Sequence, residues 1–384
     1  MSAEAMEPNG RGPRAETFGR ILRGLRDDTF FKILLAGLVV LSLLAPGRIA
    51  SYGSLVDWST IAALTGLLLL TKGLELSGVL NRLGHALVRS MATERAAALS
   101  LVLAAALLST VLTNDVALFV VVPLTLGVCR IARMPATKII VFEALAVNAG
   151  SALTPIGNPQ NLFLWQLADV SFGAFVWHQL PLVAALMAAL LALTAFAFGS
   201  RPIDVHDDVV SPLDPVLLGV SLALYIPFLV ATDLRHAGWA VAAVIGVFLV
   251  MRPRVVAQLD WGLLLVFVLM FIDLRLLAGL DVVQTAMQHL ALHQPVNLFF
   301  AGIGASQVVS NVPAAIALAE YSKDWRVLAY GVNIGGFGLM AGSLANLIAL
   351  RLSGDRDAWR TFHVYAIPAL LVAALLGYVL LFLT

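Results

Sequence analysis

The chain has 384 residues, of which 60% are hydrophobic and only 12% charged, and its formal net charge is +1. A soluble domain carries about 25% charged residues, so this composition excludes a water-facing globular protein and predicts an all-α polytopic membrane protein. The net charge says nothing about nucleic acid, and with no basic aromatic patch no nucleic-acid partner is expected; the single cysteine, Cys129, excludes internal disulfides and a cysteine-rich metal site.

Residues 1–29 form a polar, Arg-rich tail in which Phe18, Ile21, Leu22 and Leu25 fall at helical spacing, predicting a short helix on the cytoplasmic membrane surface. Residues 30–56 hold a first transmembrane helix, near 30–46, and a linker. A first repeat covers 57–199, with apolar spans near 57–77, 138–153 and 179–199. Residues 200–259 are a linker with scaffold helices near 213–231 and 237–251. A second repeat covers 260–384, with spans near 260–280, 327–341 and 362–383. Two stretches do not read as single spans: 97–130 is two apolar arms broken at Asn114, and 295–321 is two arms broken at Asn311. Crossing takes roughly 20 helical residues. The arms are shorter, which predicts re-entrant hairpins with tips near the midplane.

Lys and Arg collect on cytoplasmic loops. With the N-terminus inside, Arg48, Arg235, Lys323 and Arg326 fall outside, Lys72 and Arg275 lie within spans, and the rest of the 24 basic residues are cytoplasmic. This places the C-terminus outside, in a multi-pass protein of a bacterial inner membrane. An odd number of crossings separates Asp57-Trp58 from Asp260-Trp261, which open corresponding spans. The repeats are therefore inverted, with the first hairpin entering from the cytoplasm and the second from outside.

The motifs also occur twice. Ser109 and Thr113-Asn114-Asp115 correspond to Ser306 and Ser310-Asn311-Val312; Asn148, Gly150, Gly157 and Asn161 correspond to Asn333, Gly335, Gly342 and Asn346. At a hairpin tip, one arm ends in free carbonyls, which suit a small cation, and the next begins with free amides, which suit an anion. Gly150, Thr154, Pro155 and Gly157 break the helix that follows the first hairpin, and Asn158-Pro159 reads as an N-cap and first helical residue. In the second repeat Gly335, Gly336, Gly338 and Gly342 break the helix and Ser343 is positioned to cap the restart. Inverted repeats with interrupted helices at the midplane are the signature of a secondary transporter. Thr113, Asn114, Asp115, Gly150, Thr154, Gly157, Asn158, Asn161, Ser310, Asn311, Gly335, Gly342, Ser343 and Asn346 are the candidate binding residues, supported by Ser109, Glu143, Asn148, Ser306 and Asn333.

The strings LTNDVALFVVVPL, EALAVNAGSALTPIGNPQNL, SQVVSNVPAAIAL and VNIGGFGLMAGSLANLIAL resemble the ion transporter superfamily of arsenite permeases, citrate-transporter-like proteins, sodium/proton antiporters and divalent-anion/sodium symporters. The resemblance runs from about residue 30 to the end. It implies a scaffold, a transport domain carrying both hairpins, and an elevator-type motion, with Asn114 and Asn311 in the substrate and coupling-ion sites. Dicarboxylate symporters carry Ser-Asn-Thr in each hairpin. Both triplets here lack the final Thr, and the Asn-Asp pair and Glu143 are closer to the arsenite permease and antiporter branches.

Charges at membrane depth are costly and usually functional. Asp115 either carries the coupling proton or cation, or stabilises the start of its helix. Glu143, replaced by Leu328 in the second repeat, is expected to bond the facing hairpin backbone. Lys72 and Glu75 are spaced to pair, and Asp273 and Arg275 read as structural. His289 and His293 share a face at i, i+4 but lack a third ligand. The function expected is secondary active transport of a small anion, oxyacid or inorganic ion across the bilayer, with Na⁺ or H⁺ as coupling ion, no cofactor, and no metal beyond a Na⁺ near Asn114 and Asn311; a homodimer is left open. A sodium/proton antiporter is the alternative within the class, and an intramembrane enzyme or a channel outside it.

Overall fold

A computed structural model describes residues 29–80, 82–83, 92–203 and 212–383; the surface helix expected in the N-terminal tail lies outside them. Among the described residues the protein is helical, with a lone β-bridge between Thr93 and Pro202. The longer helices are α1 (Thr29–Leu44), α2 (Trp58–Leu76), α3 (Glu94–Val111), α4 (Asn114–Ala132), α5 (Ala136–Ser151), α6 (Pro159–Ala168), α7 (Phe172–Ala197), α8 (Pro215–Asp233), α9 (Ala237–Met251), α10 (Trp261–Ala278), α11 (Asp281–His289), α12 (Pro295–Val309), α13 (Asn311–Ala319), α14 (Trp325–Ile334), α15 (Leu344–Ser353) and α16 (Ala358–Phe382). Six of these, α2, α3, α7, α8, α10 and α16, are long and apolar enough to cross a membrane, and α1 with the bent segment after it makes a seventh candidate.

Side-chain caps explain many of the starts. Asp57, Thr93, Ser171, Asp214, Asp260 and Asp324 each accept the N–H of the residue three further on, worth about 1 kcal/mol apiece. The matched Asp-Trp openings are alike in detail. Trp58 Nε1 donates to Gly53 O at 2.8 Å and Trp261 Nε1 to Val256 O at 3.2 Å, five residues back in both cases.

The helices sort into two groups. In one, α2 packs against α8, α9 and α10, and α10 against α1. In the other, α3–α7 and α12–α16 pack among themselves. Large apolar side chains such as Trp177, Phe196, Trp239, Val250 and Leu371 point outward, the surface of a protein solvated by lipid. The groups meet where α6 lies on α2 and α13 on α10. Ser59 Oγ donates to Gln166 Oε1 at 2.9 Å, Arg235 ion-pairs with Asp169 at 2.8 Å, and Arg275 Nε donates to Glu320 Oε1 at 3.0 Å. Tyr225 OH donates to the carbonyl of Val111, the last residue of α3.

Several expectations change. The arms of the first hairpin are longer than the apolar run because the Thr93 cap carries α3 back to Glu94; the arms hold 18 and 19 residues, about 27 and 28 Å at 1.5 Å per residue, so the short arms expected of a re-entrant first hairpin are not found. Their break falls at Leu112-Thr113, and Asn114 already opens α4. The span expected at 327–341 is helical only to Ile334, where the glycine series begins. A further helix, α11, is polar on one side and has no buried residue. It ends at His289, and Ala291 has φ 47°, so His293 does not continue that helical face; among the described residues no three His, Cys, Asp or Glu side chains gather as a metal site. Lys72 and Glu75 pair at 2.6 Å. Asp273 is buried against Gly37 with its Oδ1 unpartnered, whereas Arg275 is held by Glu320 and by Leu55 O at 2.7 Å.

Candidate functional site

Four interrupted elements converge. α4 packs on α15 and α13 on α6, so each hairpin's second arm lies against the restarted helix of the other half. Within each half the hairpin also grips the broken helix at equivalent places. A Cβ added to Gly150 would lie 2.3 Å from Ala106 O and 2.7 Å from Ser109 Oγ; one added to Gly335 would lie 2.4 and 2.5 Å from Ser306 Cβ and Oγ. Only glycine permits this approach. Thr154 Oγ1 donates to Thr110 O at 2.6 Å, and at the equivalent place Leu339 N donates to Gln307 Oε1 at 2.7 Å.

The asparagines join the halves. Asn148 Nδ2 donates to Asn346 Oδ1 at 2.8 Å, and Asn333 Nδ2 donates to Asn161 Oδ1 at 2.7 Å. Asn148 and Asn333 occupy matching positions, as do Asn161 and Asn346. The two bonds are thus one contact made twice between matching positions. Asn158 and Gln160 add donors to Asn333 Oδ1 at 3.1 and 3.3 Å. Gly336 O receives both Asn148 Nδ2 at 3.1 Å and Asn346 Nδ2 at 2.9 Å. All of these side chains are buried. Unpaired, each would cost about 1–3 kcal/mol; paired, they form a clasp at the centre of the second helix group.

The remaining candidates divide by whether they are satisfied. Asn158 caps α6, its Oδ1 taking Asn161 N at 2.8 Å while its Nδ2 reaches Ser151 O at 3.1 Å. Asn161 Nδ2 serves the carbonyls of Ser151, Ala152 and Thr154. Asn114 N donates to Gly157 O at 2.8 Å, and Asn114 Oδ1 accepts Asp115 N at 3.0 Å. Ser343 stands at the N-cap of α15, as expected, yet caps nothing: its Oγ is buried and unpartnered. Asp115 Oδ1 and Gln160 Oε1 are likewise buried without partners. Glu143 bonds the hairpin through a side chain rather than its backbone, with Thr125 Oγ1 donating to Oε1 and Oε2 left enclosed and unpartnered. Sequence reading passed over Thr125, Gln160 and Gln307. Gln160 sat within a quoted motif, but a long side chain's target is not visible in the chain.

A lipid-solvated helical bundle enclosing paired helix breaks and buried amides is a membrane transporter. Residues 29–326 match the model of the CitMHS family, citrate transporters, and the chain belongs to that family, within the ion transporter superfamily. It is 48% identical to the inner membrane protein YbiR of Escherichia coli over 94% of this chain and 97% of that protein. It is 29% identical to an uncharacterized transporter of Methanocaldococcus jannaschii over 86% and 91% of the two chains. The YdaH transporter of Alcanivorax borkumensis shares the fold, with a TM-score of 0.53 at 14% identity over 91% of this chain and 86% of that one. The protein is a multi-pass inner membrane protein.

Proposed function

We propose that this chain is a secondary active transporter that moves a small anion or oxyacid, coupled to Na⁺ or H⁺, through inverted repeats whose hairpins and broken helices form one midplane site. The reciprocal clasp of Asn148 with Asn346 and Asn161 with Asn333 carries this reading. A contact repeated by a two-fold axis, in a chain whose basic residues put the halves in opposite orientation, is the arrangement of inverted-repeat carriers. In this reading α3–α7 with α12–α16 form the transport domain, and α1, α2 and α8–α10 the scaffold. The clasped group is two-fold in its packing, but it docks on the scaffold through α6 on α2 and α13 on α10; the counterpart pairs, α15 with α10 and α4 with α2, do not pack comparably. A symmetric body held asymmetrically has a second, equivalent way to sit, which supports an elevator-type motion.

The binding groups in this reading are Asn114, Asp115, Asn311 and Ser343 with the exposed helix ends beside them, while Asn148, Asn161, Asn333 and Asn346 hold the frame. The family description names citrate as the first substrate to test. Purified protein is screened by thermal stabilisation against citrate, succinate, inorganic phosphate and arsenite, each with Na⁺ and across pH, followed by uptake into proteoliposomes. Stabilisation by an anion together with cation-dependent uptake is expected; a protein indifferent to all four would overturn the reading. The unpartnered Asp115 Oδ1 beside Asn114 favours a second reading, a sodium/proton antiporter. Na⁺/H⁺ exchange in vesicles free of any organic anion, abolished by Asp115→Asn, would select it.

A further inference from the structure

The two halves leave opposite chemistry unsatisfied. In the first repeat most of the amides at the starts of α4 and α6 are closed by the protein itself, Val116 N and Gln160 N excepted. Asn114 N is tied to Gly157 O, Asp115 N to Asn114 Oδ1, and Asn161 N to Asn158 Oδ1. Among the side chains there, what remains is acceptors, Asp115 Oδ1 and Gln160 Oε1, both enclosed and unpartnered. In the second repeat neither α13 nor α15 has a side-chain cap. Asn311 N, the counterpart of Asn114 N, finds no partner on Gly342, and the amides of Asn311, Val312, Leu344 and Ala345 remain unpaired, while Pro313 has no N–H and Asn346 N is taken by Ser343 O at 3.1 Å. Ser343 Oγ, on a residue only 1% exposed, sits beside the α15 amides without a partner. The tip is also strained: Ser310 adopts φ 73°, ψ 156°, where Thr113 has φ −67°, ψ 149°, and that region is nearly restricted to glycine.

We propose that the second repeat is the oxyanion pole and the first the cation pole of a single transport site. The α13 and α15 amides with Ser343 Oγ hold the substrate's oxygens, and Asp115 Oδ1 with Gln160 Oε1 holds the coupling Na⁺ or proton. This division rests on the transporter reading above and sharpens its substrate class. Residues 109–116, 148–161, 306–316 and 333–346 contain no Lys, Arg or His. Two helix N-termini contribute about +0.5 charge each, enough to balance roughly one negative charge. The substrate is therefore a monoanion or a protonated oxyacid rather than a fully ionised di- or tricarboxylate. The other ionisable groups on α4 and the helices packed on it, α3, α5 and α15, are Cys129, Arg130, Glu94, Arg95, Lys138, Glu143 and Arg351.

The test exchanges the halves' own residues, using whichever of citrate, succinate, phosphate or arsenite stabilises the wild type. Ser343→Asn installs the first repeat's cap on α15. It is expected to weaken binding of that anion about tenfold and to leave the midpoint of Na⁺ or H⁺ dependence unmoved. Gln160→Ala installs the second repeat's residue, and should shift that midpoint at least threefold while sparing anion affinity. Ser343→Ala keeps the amides open and should weaken binding about threefold; unliganded melting temperatures report whether each variant folds. A responsive wild type with silent Ser343→Asn and Ser343→Ala, or with the two effects interchanged, overturns the division alone. A wild type that responds to none of the four removes the transporter reading first. Tightest binding by the fully ionised form of citrate overturns the charge assignment.

Discussion

At the hairpin tip and the helix restart the first repeat closes most of its amides with its own backbone and side chains, whereas the second leaves more of them open. Near the centre the halves are nearly interchangeable: the Ser109–Gly150 and Ser306–Gly335 approaches match, and the clasp bonds differ by 0.1 Å. Away from the centre the correspondence fades. The second arm of the first hairpin has 19 residues and that of the second has 9, about 28 Å against about 13 Å of helix. The contrast shows which constraint is shared. Buried amides in a lipid-solvated body must find partners, and a two-fold arrangement supplies them in pairs. Helix length and capping, further out, are free to diverge toward different tasks.

The sharpest way to break this comparison is at the tips. Asn114→Ala and Asn311→Ala are each expected to abolish proteoliposome uptake, at least about a hundredfold, with little change in melting temperature. Loss in only one of them would make the halves unequal in function as well as in capping. The clasp comes next. Asn333→Ala strands Gln160 Nε2 and Asn161 Oδ1, and should destabilise by about 2–3 kcal/mol, against about 1–2 kcal/mol for Asn148→Ala, at one to three kcal/mol per orphaned group. Denaturation in detergent measures both, and a double-mutant cycle of Asn148 with Asn346 should show coupling that Asn148 with Asn161 lacks. Ser310→Gly should stabilise by about 1 kcal/mol by releasing the left-handed strain, while Thr113→Gly should destabilise slightly; equal signs would erase the strain difference between the tips.

The smallest effect lies outside the membrane, where Thr137 Oγ1 donates to Asp355 Oδ2 at 2.7 Å and links the two repeats. That bond, followed by the amide of Asp357, holds the Asp355 carboxyl below its ordinary value of 3.8. A depressed carboxyl stabilises the fold above its unfolded value, and loses that contribution as pH falls through the folded one. Thr137→Val should therefore flatten the stability profile slightly below about pH 4, and leave neutral pH unchanged.

Much of the central arrangement was written in the chain. The offsets between Asn148 and Asn333, and between Asn161 and Asn346, identified the residues that meet, because short polar motifs in apolar sequence have few other reasons to recur. Which amide meets which was not legible, since that depends on where the axis lies. The Asn158 cap was legible because Asn-Pro fits the start of a helix. Ser343 has nearly the same backbone, φ −147°, ψ 139° against φ −153°, ψ 158°, yet its hydroxyl bonds none of the α15 amides. Rotamer choice is settled by surroundings, not residue type. The shared face of His289 and His293 failed because a left-handed residue between them ended the helix, and α11 escaped notice because a polar amphipathic helix beside apolar spans resembles a loop.

Chain that leaves a helix is ordinarily where deuterium enters a protein first. Here the links at 152–158 and 335–338 are almost wholly buried, and the carbonyls of Ala152, Thr154 and Gly336 carry the asparagine donors. In exchange experiments these links should label late, behind the frayed helix ends at the membrane surface. The moment they begin to label would time the parting of the two halves, making the protein's least regular backbone its slowest clock.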